Sequence, residues 1–407
     1  MILKRVILHI IFVSFFSSNF NANANEINFK IWLEELKIDA LSLGVNEELL
    51  TITIDKLSLI KDVVKNDRQQ SEFTNNFTNY LNKNISNNKI NYGRKVFKQN
   101  RRILKSIEND YGVPARYIIA FWGIETNFGQ YMGSFNVPNS LTTLAFDPRR
   151  SNFFRKELLN AIIILDQKHT SFEKYRGSWA GASGHMQFMP STFLNYAVDY
   201  NNDGKKDVWK NLPDAFASAA NYLSSMGWQK KYTWGREVII PGDFNYSDAQ
   251  LSISKPISEW KDIGIIKTNG QSLPNTSISG SILLPSGKSG PAFLVYDNFN
   301  IIMQWNKSIF YALTVGYLAD RIVNINKLHT KLTSEKQLTL KNIRNLQKQL
   351  KILGYNNLTI DGIIGFNTKN AIRVFQIENE LPADGYPDRD TLEAIKQSTK
   401  RELKNIE

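Results

Sequence analysis

An almost unbroken apolar run, from Tyr117 to Ile124, must lie inside the folded protein because a helix formed from it has no polar face. Pro114 suits the first turn of that helix, and Gly129 suits its end. A helix buried on all sides needs other elements around it, so it belongs to a sizeable domain. The chain has 407 residues and 42% apolar content, which predicts two or three globular units.

Glu125 follows this apolar run directly, and a carboxyl group at the end of a buried helix has two explanations. It is either a structural acid in a salt bridge or an acid in a partly desolvated place, where burial raises its pKa. A raised pKa suits a general acid at neutral pH, because such a group must carry a proton to a leaving oxygen. The helix alone leaves both explanations open.

Apolar residues recur at helical spacing from Asn28 to about Gly227, which predicts an α-rich region. Between Arg236 and Trp305, short β-like runs alternate with turn residues. The predicted strands are residues 237–240, 281–284 and 292–296, and we expect the last two to pair; a helix over 308–325 follows them. The predicted fold class is therefore α+β, mostly α, with a small β-containing segment.

The first 24 residues have the pattern of a cleaved signal peptide, with Lys4 and Arg5, an apolar run over 6–16 and a small-x-small sequence at 22–24. The alternative is an uncleaved anchor, but the run is shorter than the roughly 18 residues that span a bilayer. We therefore expect an exported, periplasmic protein. The absence of cysteine from the sequence excludes zinc clusters, disulfides, thiol catalysis and a lipidated N-terminal cysteine.

Removing the signal peptide would lower the formal net charge from +12 to +10, because Lys4 and Arg5 are its only charged residues. A basic protein suits a polyanionic partner such as nucleic acid, acidic lipid or a wall polymer. Export makes nucleic acid the least expected of the three, so we predict no nucleic-acid partner. The many lysines, together with abundant Asn and Ile, also fit a biased genome composition.

Two motifs connect Glu125 to a known family. They are Gly-Ile-Glu-Thr-Asn-Phe-Gly at 123–129 and Gly-His-Met-Gln-Phe-Met-Pro-Ser at 184–191. The second motif follows a run of small residues, which would let a bulky ligand approach the backbone. Together they resemble the lytic murein transglycosylases of the membrane-bound B type, and the resemblance implies a lysozyme-like catalytic domain over 25–326. It extends over roughly 28–325, including Ala-Phe-Asp-Pro-Arg-Arg at 145–150, Ala-Ala-Asn-Tyr-Leu at 219–223 and Trp-Asn-Lys-Ser at 305–308.

The resemblance implies a role for each matching residue. Glu125 matches the family's single catalytic acid and base, and Arg149 and Arg150 match a basic pair suited to lactyl or peptide carboxylates. Phe153 and Trp305 stand where the family often has tyrosine, so hydroxyl contacts are not expected there. The remaining substrate-binding candidates are polar cleft residues and ring-stacking tyrosines: Ser178, Gln187, Asn306, Tyr80 and Tyr222.

A glycosidase that hydrolyses its substrate normally uses two carboxylates. Asp147 is the nearest second candidate, but Asp-Pro before two arginines indicates a turn with a local salt bridge. With one carboxyl, the resemblance implies cleavage of the β-1,4 bond between N-acetylmuramic acid (MurNAc) and N-acetylglucosamine (GlcNAc) to 1,6-anhydromuramoyl ends. The alternatives are a hydrolytic muramidase and a noncatalytic wall-binding scaffold. No cofactor is expected to be required, and cell-wall synthesis or division complexes are predicted partners.

The loop that starts at Asp199 has the opening pattern of a calcium-binding EF-hand, with oxygen ligands at loop positions 1, 3 and 5. Gly204 stands at position 6, but Lys210 replaces the acid usual at position 12. In the resembled family, some members bind calcium through an enlarged loop that a later aspartate closes, a part that Asp214 could take. The alternative is an acidic turn with Asp214 in the first turn of a helix. The candidate calcium ligands are Asp199, Asn201, Asp203, Lys205 and Asp214.

A small helical module, predicted at 339–398, follows a polar linker at 327–338. Leu346, Leu350 and Leu353 recur at helical spacing, and Asp-Gly-Ile-Ile-Gly at 361–365 separates them from a second helix. Over about 340–395 this pattern resembles the three-helix peptidoglycan-binding domain. The alternative is a generic helical domain. The resemblance implies a targeting role, because tethering to an insoluble polymer raises the local concentration of substrate.

Overall fold

The computed structural model describes residues 26–68, 76–325, 327–332 and 337–406. The predicted signal peptide and part of the predicted linker lie outside these residues. The chain divides into two compact units. Among the described residues, one unit comprises 26–68 with 129–218, and the second comprises 76–128 with the described residues from 219 to 406.

The described elements are mainly helices, as the sequence predicts. The helices are α1 (26–42), α2 (Glu47–Lys56), α3 (Lys61–Arg68), α4 (Phe77–Asn84), α5 (Asn87–Gln99), α6 (Arg101–Tyr111), α7 (Ala115–Thr126), α8 (Val137–Phe146), α9 (Ser151–Asp166), α10 (Pro190–Tyr196), α11 (Leu212–Ser225), α12 (Ile257–Asp262), α13 (Asp297–Trp305), α14 (Ile309–Ile322), α15 (Leu340–Ile352), α16 (Phe366–Glu378) and α17 (Arg389–Ile406). The strands are β1 (Phe135–Asn136), β2 (Arg176–Gly177), β3 (Gly235–Ile239), β4 (Lys255–Pro256), β5 (Ile266–Lys267), β6 (Ser279–Leu283) and β7 (Ala292–Val295).

The first unit is built around the helix pair α8 and α9. Leu141 and Leu158 are fully buried between them. A buried acid joins α9 to α10: Glu157 accepts hydrogen bonds from the Ser191 amide at 2.9 Å and from the Ser191 hydroxyl at 2.6 Å. Two short antiparallel strands, β1 and β2, add a ribbon that the sequence analysis did not predict.

In the second unit, α7 is the buried helix that the apolar run predicts. Ile118, Ile119 and Phe121 are fully buried, and the helix packs against α5 and α14. Pro114 lies immediately before the helix, which begins at Ala115. The prediction of a central apolar helix that ends near Glu125 is therefore confirmed.

A five-stranded antiparallel sheet in the same unit has the strand order β4-β6-β7-β3-β5. The predicted pairing of the runs at 281–284 and 292–296 is confirmed as β6 with β7, with Ser281 opposite Val295 and Leu283 opposite Phe293. Trp260 is fully buried behind the sheet and donates its indole N–H to the Gly280 carbonyl at 2.8 Å. The small β-containing segment thus has a core of its own.

The C-terminal module consists of α15, α16 and α17 around Leu346, Leu350, Ile372, Phe375 and Ile395. Its two inter-helix turns are held in the same way by a buried glutamine. Each glutamine donates to an aspartate, a backbone carbonyl and a threonine, and accepts from a glycine amide. The first set is Gln347, Asp361, Ile363, Thr368 and Gly362, and the second is Gln376, Asp384, Tyr386, Thr391 and Gly385.

None of the helices in the described part of the chain is both long enough and apolar enough to cross a membrane.

Candidate active site

Glu125 lies in the last turn of α7 and is half-buried. The chain leaves the helix through three consecutive left-handed residues, Asn127 at φ 50°, Phe128 at φ 61° and Gly129 at φ 82°. This turn folds the buried Phe128 ring back over Gly123, where a Cβ atom would lie 2.8 Å from the ring. Gly123 and Phe128 of the sequence motif therefore act together to fix the helix end that carries the acid.

The Tyr311 hydroxyl, at the start of α14, donates a hydrogen bond to Glu125 Oε1. Tyr311 is buried, and its pKa is raised well above its ordinary value, chiefly by burial and then by the Glu125 charge. It therefore stays protonated at neutral pH. The acid thus has a neutral hydroxyl as one partner, inside an apolar pair of helices.

Two predicted substrate tyrosines lie beside this pair. The hydroxyls of Tyr80 and Tyr222 are close enough to contribute to the raised pKa of Tyr311. Tyr222 packs edge-on against Trp305 with ring centroids 5.0 Å apart, and Trp305 lies 4.4 Å from the Phe121 ring. The structure therefore brings Tyr80 and Tyr222 near Tyr311, the hydrogen-bond partner of Glu125, while Trp305 packs among aromatic rings.

Asn306 ends α13 in the same unit and is exposed. Its Oδ1 accepts a hydrogen bond from the Ser308 amide at 3.1 Å, and Ser308 in turn caps α14. One short segment therefore carries Trp305, Asn306 and Tyr311, so the substrate candidate Asn306 is fixed to the helix that supplies the Glu125 hydrogen bond.

The predicted basic pair lies in the first unit, at the turn between α8 and α9. Arg149 Nη1 lies 3.2 Å from Oδ2 of Asp67, a buried carboxylate. The Arg150 guanidinium instead lies over two aromatic rings, with centroid distances of 5.3 Å to Phe153 and 4.9 Å to Phe154. The two arginines are therefore not equivalent, because only Arg149 has an ion-pair partner already within the described chain.

Asp147 occupies this same turn and accepts the Arg149 amide N–H at 3.0 Å. Its ion pair is with Arg68 at 3.2 Å, not with either arginine that follows it in sequence. The predicted turn is correct but the predicted partner is wrong. The reason is that Arg149 points towards Asp67, whereas α3 brings Arg68 to Asp147.

Ser178 and Gln187 lie on one loop of the first unit. Ser178 Oγ accepts from the Ala182 amide at 3.1 Å, and Gln187 Nε2 donates to the carbonyls of Met132 and Gly184 at 3.2 and 3.0 Å. The small residues of this loop serve internal packing. A Cβ at Gly184 would lie 2.8 Å from a backbone oxygen of Val208, so close approach of the chain to itself already requires the glycine.

The candidate calcium loop, also in the first unit, is closed by hydrogen bonds from backbone amides. Asp199 accepts from the amides of Gly204 at 2.7 Å and Asp203 at 3.1 Å. Asp214 is buried and accepts from the amides of Tyr200 and Asp207, each at 2.9 Å, and burial raises its pKa. Among the described residues, no group of three or more His, Cys, Asp or Glu side chains is arranged to hold a metal.

The other two calcium candidates complete this turn. Asn201 Nδ2 donates to Asp203 Oδ2 at 2.9 Å, and the Lys205 amide donates to Asp203 Oδ1 at 3.0 Å. The acidic turn that the sequence analysis kept as an alternative therefore describes the loop as it stands. Calcium binding stays a prediction.

The sequence analysis did not identify Tyr311 or Lys89. Tyr311 carries a hydroxyl within a helix of mostly apolar residues. A buried hydroxyl normally has a hydrogen-bond partner, so this position is a weak signal that another polar group is buried beside it. Lys89 donates to the Gly123 carbonyl at 3.1 Å, and burial lowers its pKa. Its positive charge lies at the C-terminal end of α7, where the helix dipole favours a cation.

Comparison with known proteins identifies the family. Residues 28–320 match the Transglycosylase SLT domain family, and residues 339–395 match the peptidoglycan binding domain family. The first match covers well over half of the chain. The chain therefore belongs to the Transglycosylase SLT domain family. The predictions of a lysozyme-like transglycosylase domain, of a peptidoglycan-binding domain and of an enzyme that cleaves peptidoglycan are confirmed.

Three relatives place this SLT-family chain more closely. The membrane-bound lytic murein transglycosylase B of Escherichia coli K12 is 31% identical over 250 residues, which are 60% of this chain and 66% of the relative. SltB3 of Pseudomonas aeruginosa, in complex with NAG-anhNAM-pentapeptide, is 39% identical with a TM-score of 0.86, covering 90% of this chain and 99% of that one. E. coli Slt35, in complex with calcium, is 27% identical with a TM-score of 0.62, covering 72% and 92%.

Proposed function

We propose that this chain is an exported lytic transglycosylase that cleaves the MurNAc-GlcNAc β-1,4 bond of peptidoglycan without water, and so takes part in wall turnover and remodelling. Glu125 acts first as the acid and then as the base. The observation that carries the proposal is the hydrogen bond from the buried Tyr311 hydroxyl to Glu125, beside Tyr80 and Tyr222.

The reaction needs one proton carrier. The protonated Glu125 carboxyl gives its proton to the glycosidic oxygen as the bond from MurNAc C1 to that oxygen breaks. The substrate's own acetamido group stabilises the positive charge at C1. The Glu125 carboxylate then takes the proton of the MurNAc C6 hydroxyl, whose oxygen bonds to C1. One bond breaks, one forms, and the acid regains its proton.

Tyr311 suits both halves of this cycle. A phenol hydroxyl can donate a hydrogen bond to a carboxylate and can accept one from a carboxylic acid. A guanidinium or ammonium partner offers only donors, so it would favour the charged form of the carboxyl and oppose its protonation. Tyr311 therefore keeps Glu125 in one orientation while the carboxyl loses and regains its proton, and it favours neither the charged nor the neutral form.

Substrate contacts follow from the placement of the other candidates. Tyr80 and Tyr222 supply rings and hydroxyls for the sugar acetamido groups next to Glu125. Arg150, whose guanidinium lies on aromatic rings, is the better candidate for a lactyl or peptide carboxylate, because Arg149 is already paired with Asp67. The complex of P. aeruginosa SltB3 with NAG-anhNAM-pentapeptide supports an anhydro sugar and a peptide as ligands of this chain.

Mass spectrometry of products from purified peptidoglycan tests the proposal. Anhydromuramoyl ends weigh one water less than the reducing ends that a muramidase releases, so the two enzymatic alternatives are separated in one measurement. We expect anhydro ends to dominate. Reducing ends would establish the hydrolytic alternative, and intact glycan in the presence of folded protein would establish a scaffold.

The proposal includes three further expectations. Export to the periplasm rests on the pattern of residues 1–24, and cell-wall synthesis or division complexes stay predicted partners. A structural calcium ion at residues 199–214 draws support from the calcium complex of the relative Slt35. The candidate donors are Asp199, Asn201, Asp203, Lys205 and Asp214, and calcium would compete with the backbone amides that donate to both oxygens of Asp199 and of Asp214.

A further inference from the structure

The C-terminal module contacts the sheet-containing part of its unit at defined points. The Lys288 amide, in the loop between β6 and β7, donates to Asp384 Oδ2 at 2.8 Å, and Lys288 Nζ lies 3.7 Å from Asp388. In the linker, the Thr330 amide donates to Glu237 of β3 at 2.8 Å. The module is therefore docked on this part of its unit.

The docked surface belongs to one of the two equivalent turns of the module. Asp384 and Asp361 occupy matching places, and the inner oxygen of each binds its glutamine. The outer oxygen of Asp384 accepts the Lys288 amide, and Asp384 is buried, whereas Asp361 is exposed. Docking is therefore specific to the second turn, which places α16 against the start of α14.

At that junction Lys369 of α16 reaches an aromatic ring next to the candidate active site. Its ammonium lies 5.9 Å from the ring centroid of Phe310, the residue before Tyr311. The Phe310 ring in turn lies 6.0 Å from the ring of Tyr80 and 5.6 Å from that of Phe77. These contacts lead from the C-terminal module to Tyr80, and Phe310 directly precedes Tyr311, whose hydroxyl binds Glu125.

The chemistry of Lys369 indicates that this contact matters. Burial and the neighbouring Arg373 lower the pKa of the Lys369 ammonium, and the Asp384 charge opposes them. A desolvated ammonium is unfavourable unless something replaces its water, and the face of an aromatic ring does so through its quadrupole. In return, the contact favours the tilt of the Phe310 ring that presents its face to the ammonium.

We propose that Lys369 is a positioning residue for the reaction. It acts through Phe310 to hold Tyr80 and Tyr311 in place, so the module contributes to catalysis on substrates too short to be tethered by it. This inference rests on the proposed function of Glu125. It goes beyond a targeting role, which would alter only the encounter with insoluble wall.

The test compares two charge-removing variants of the full-length mature protein on a soluble glycan tetrasaccharide. Lys369→Met keeps an apolar stem but loses the cation, and we expect kcat to fall about threefold to thirtyfold, the range of a partly desolvated cation–π contact. Lys369→Arg keeps the cation and should recover kcat to within about twofold. Lys288→Met removes a charge from the same docking surface away from Phe310 and should leave kcat unchanged.

Three further readouts make the outcome decisive. The thermal midpoint shows whether each variant is folded, and pelleting with sacculi, in the Glu125→Gln background, should not change. In a Phe310→Leu background, Lys369→Met should cause no further loss, because the two residues act as one unit. Wild-type kcat in folded Lys369→Met, or equal losses in Lys369→Met and Lys288→Met, would overturn the inference. Failure of the proposed function would instead appear in the wild-type protein, as reducing ends or no product.

Discussion

The helices α7 and α14 are joined by a polar contact at each end, and the two contacts differ in kind. Where α7 begins, Arg116 Nη1 lies 3.5 Å from Asp320 near the end of α14, and Trp234 Nε1 donates to the same carboxyl at 3.0 Å. Where α7 ends, Glu125 accepts from the Tyr311 hydroxyl at the start of α14. The pair therefore runs antiparallel, with one acid beside a guanidinium and the other beside a phenol.

The difference shows what each acid is suited to do. Burial raises the pKa of Asp320 to about 6 even though Arg116 and Trp234 act to lower it, so the helix pair strongly desolvates this acid. Arg116 offers only donors and stabilises only the charged form of Asp320. Tyr311 can serve either protonation state of Glu125. The first contact therefore suits an anchor between the helices, and the second suits the acid–base role that we propose for Glu125.

The largest effect is expected from exchanging carboxyl for amide at each end. Glu125→Gln keeps the shape but cannot give and take the proton, so glycan cleavage should fall by about 10² to 10⁴, the usual worth of general acid–base catalysis. Asp320→Asn makes the same change at the other end and should retain most of the activity. Release of soluble fragments from purified sacculi measures both. Activity of Glu125→Gln above about a few per cent of wild type, in folded protein, would remove Glu125 as the acid.

The second prediction concerns how stability depends on pH at the anchoring end. The folded-state pKa of Asp320, about 6, exceeds its ordinary value of 3.8, so between these values the folded protein binds the proton more tightly than the unfolded chain. Protonation of Asp320 therefore stabilises the fold as pH falls, and this contribution is lost as pH rises through about 6. Asp320→Asn has no such proton to bind.

Relative to Asp320→Asn, the wild-type free energy of unfolding should rise by up to about 3 kcal/mol between about pH 7 and pH 4. Denaturant titrations of both proteins at several pH values measure the difference, and other titrating groups cancel in it. Parallel curves for the two proteins would show that burial does not control this carboxyl.

Sequence reasoning identified Glu125, one partner of the second contact, but neither Arg116 nor Asp320 of the first. Glu125 stands out because a polar residue ends an apolar helix within a recognisable motif. Tyr311 is separated from it by 186 positions, and only the packing of α14 on α7 brings them together. The antiparallel pairing of β6 with β7 was predictable for the opposite reason, because a short loop joins the two strands.

The same limit explains the incorrect partner of Asp147. Its turn is local in sequence and was predicted, but Arg68 reaches it from α3, 79 positions away. The glycine-rich loop at 178–184 shows a related ambiguity. Small residues permit any close approach, and only the folded structure shows that Leu141 and Val208 are the neighbours of Gly181 and Gly184.

The third prediction concerns the removal of a tyrosine hydroxyl at each end of the α7–α14 pair. Tyr311→Phe leaves Glu125 without this hydrogen bond, and because a hydrogen bond to a charged group is worth about 1.5–3 kcal/mol, kcat should fall about tenfold to a hundredfold. Tyr117→Phe is the matched control, since that buried hydroxyl lies 3.2 Å from Thr233 Oγ1 at the Arg116 end. It should lower the thermal midpoint but not kcat. Similar kcat losses in both variants would mean that packing, not the Glu125 contact, is responsible.

Asp214, in the first unit, is a third buried acid, and its partners are backbone amides instead of a guanidinium or a phenol. This buried acid binds two backbone amides and so ties together the ends of the loop that carries Asp199 and Asp203. If calcium binds the carboxylates of Asp199 and Asp203, it stabilises only the folded protein and raises the thermal midpoint by mass action. Lys210 replaces the usual closing acid, so we expect a weak site with a Kd of about 1 mM, as in extracellular calcium modules.

With such a Kd, about 10 mM calcium should stabilise the chelator-stripped protein by about 1.4 kcal/mol, the smallest effect predicted here. Asp203→Ala should abolish the increment, whereas Asp243→Ala, an exposed acid of the second unit, should keep it. Magnesium should substitute poorly, because it prefers rigid octahedral geometry at shorter distances. Equal shifts with both ions would indicate screening of surface charge, and no shift with calcium would leave residues 199–207 as an acidic turn held by its own amides.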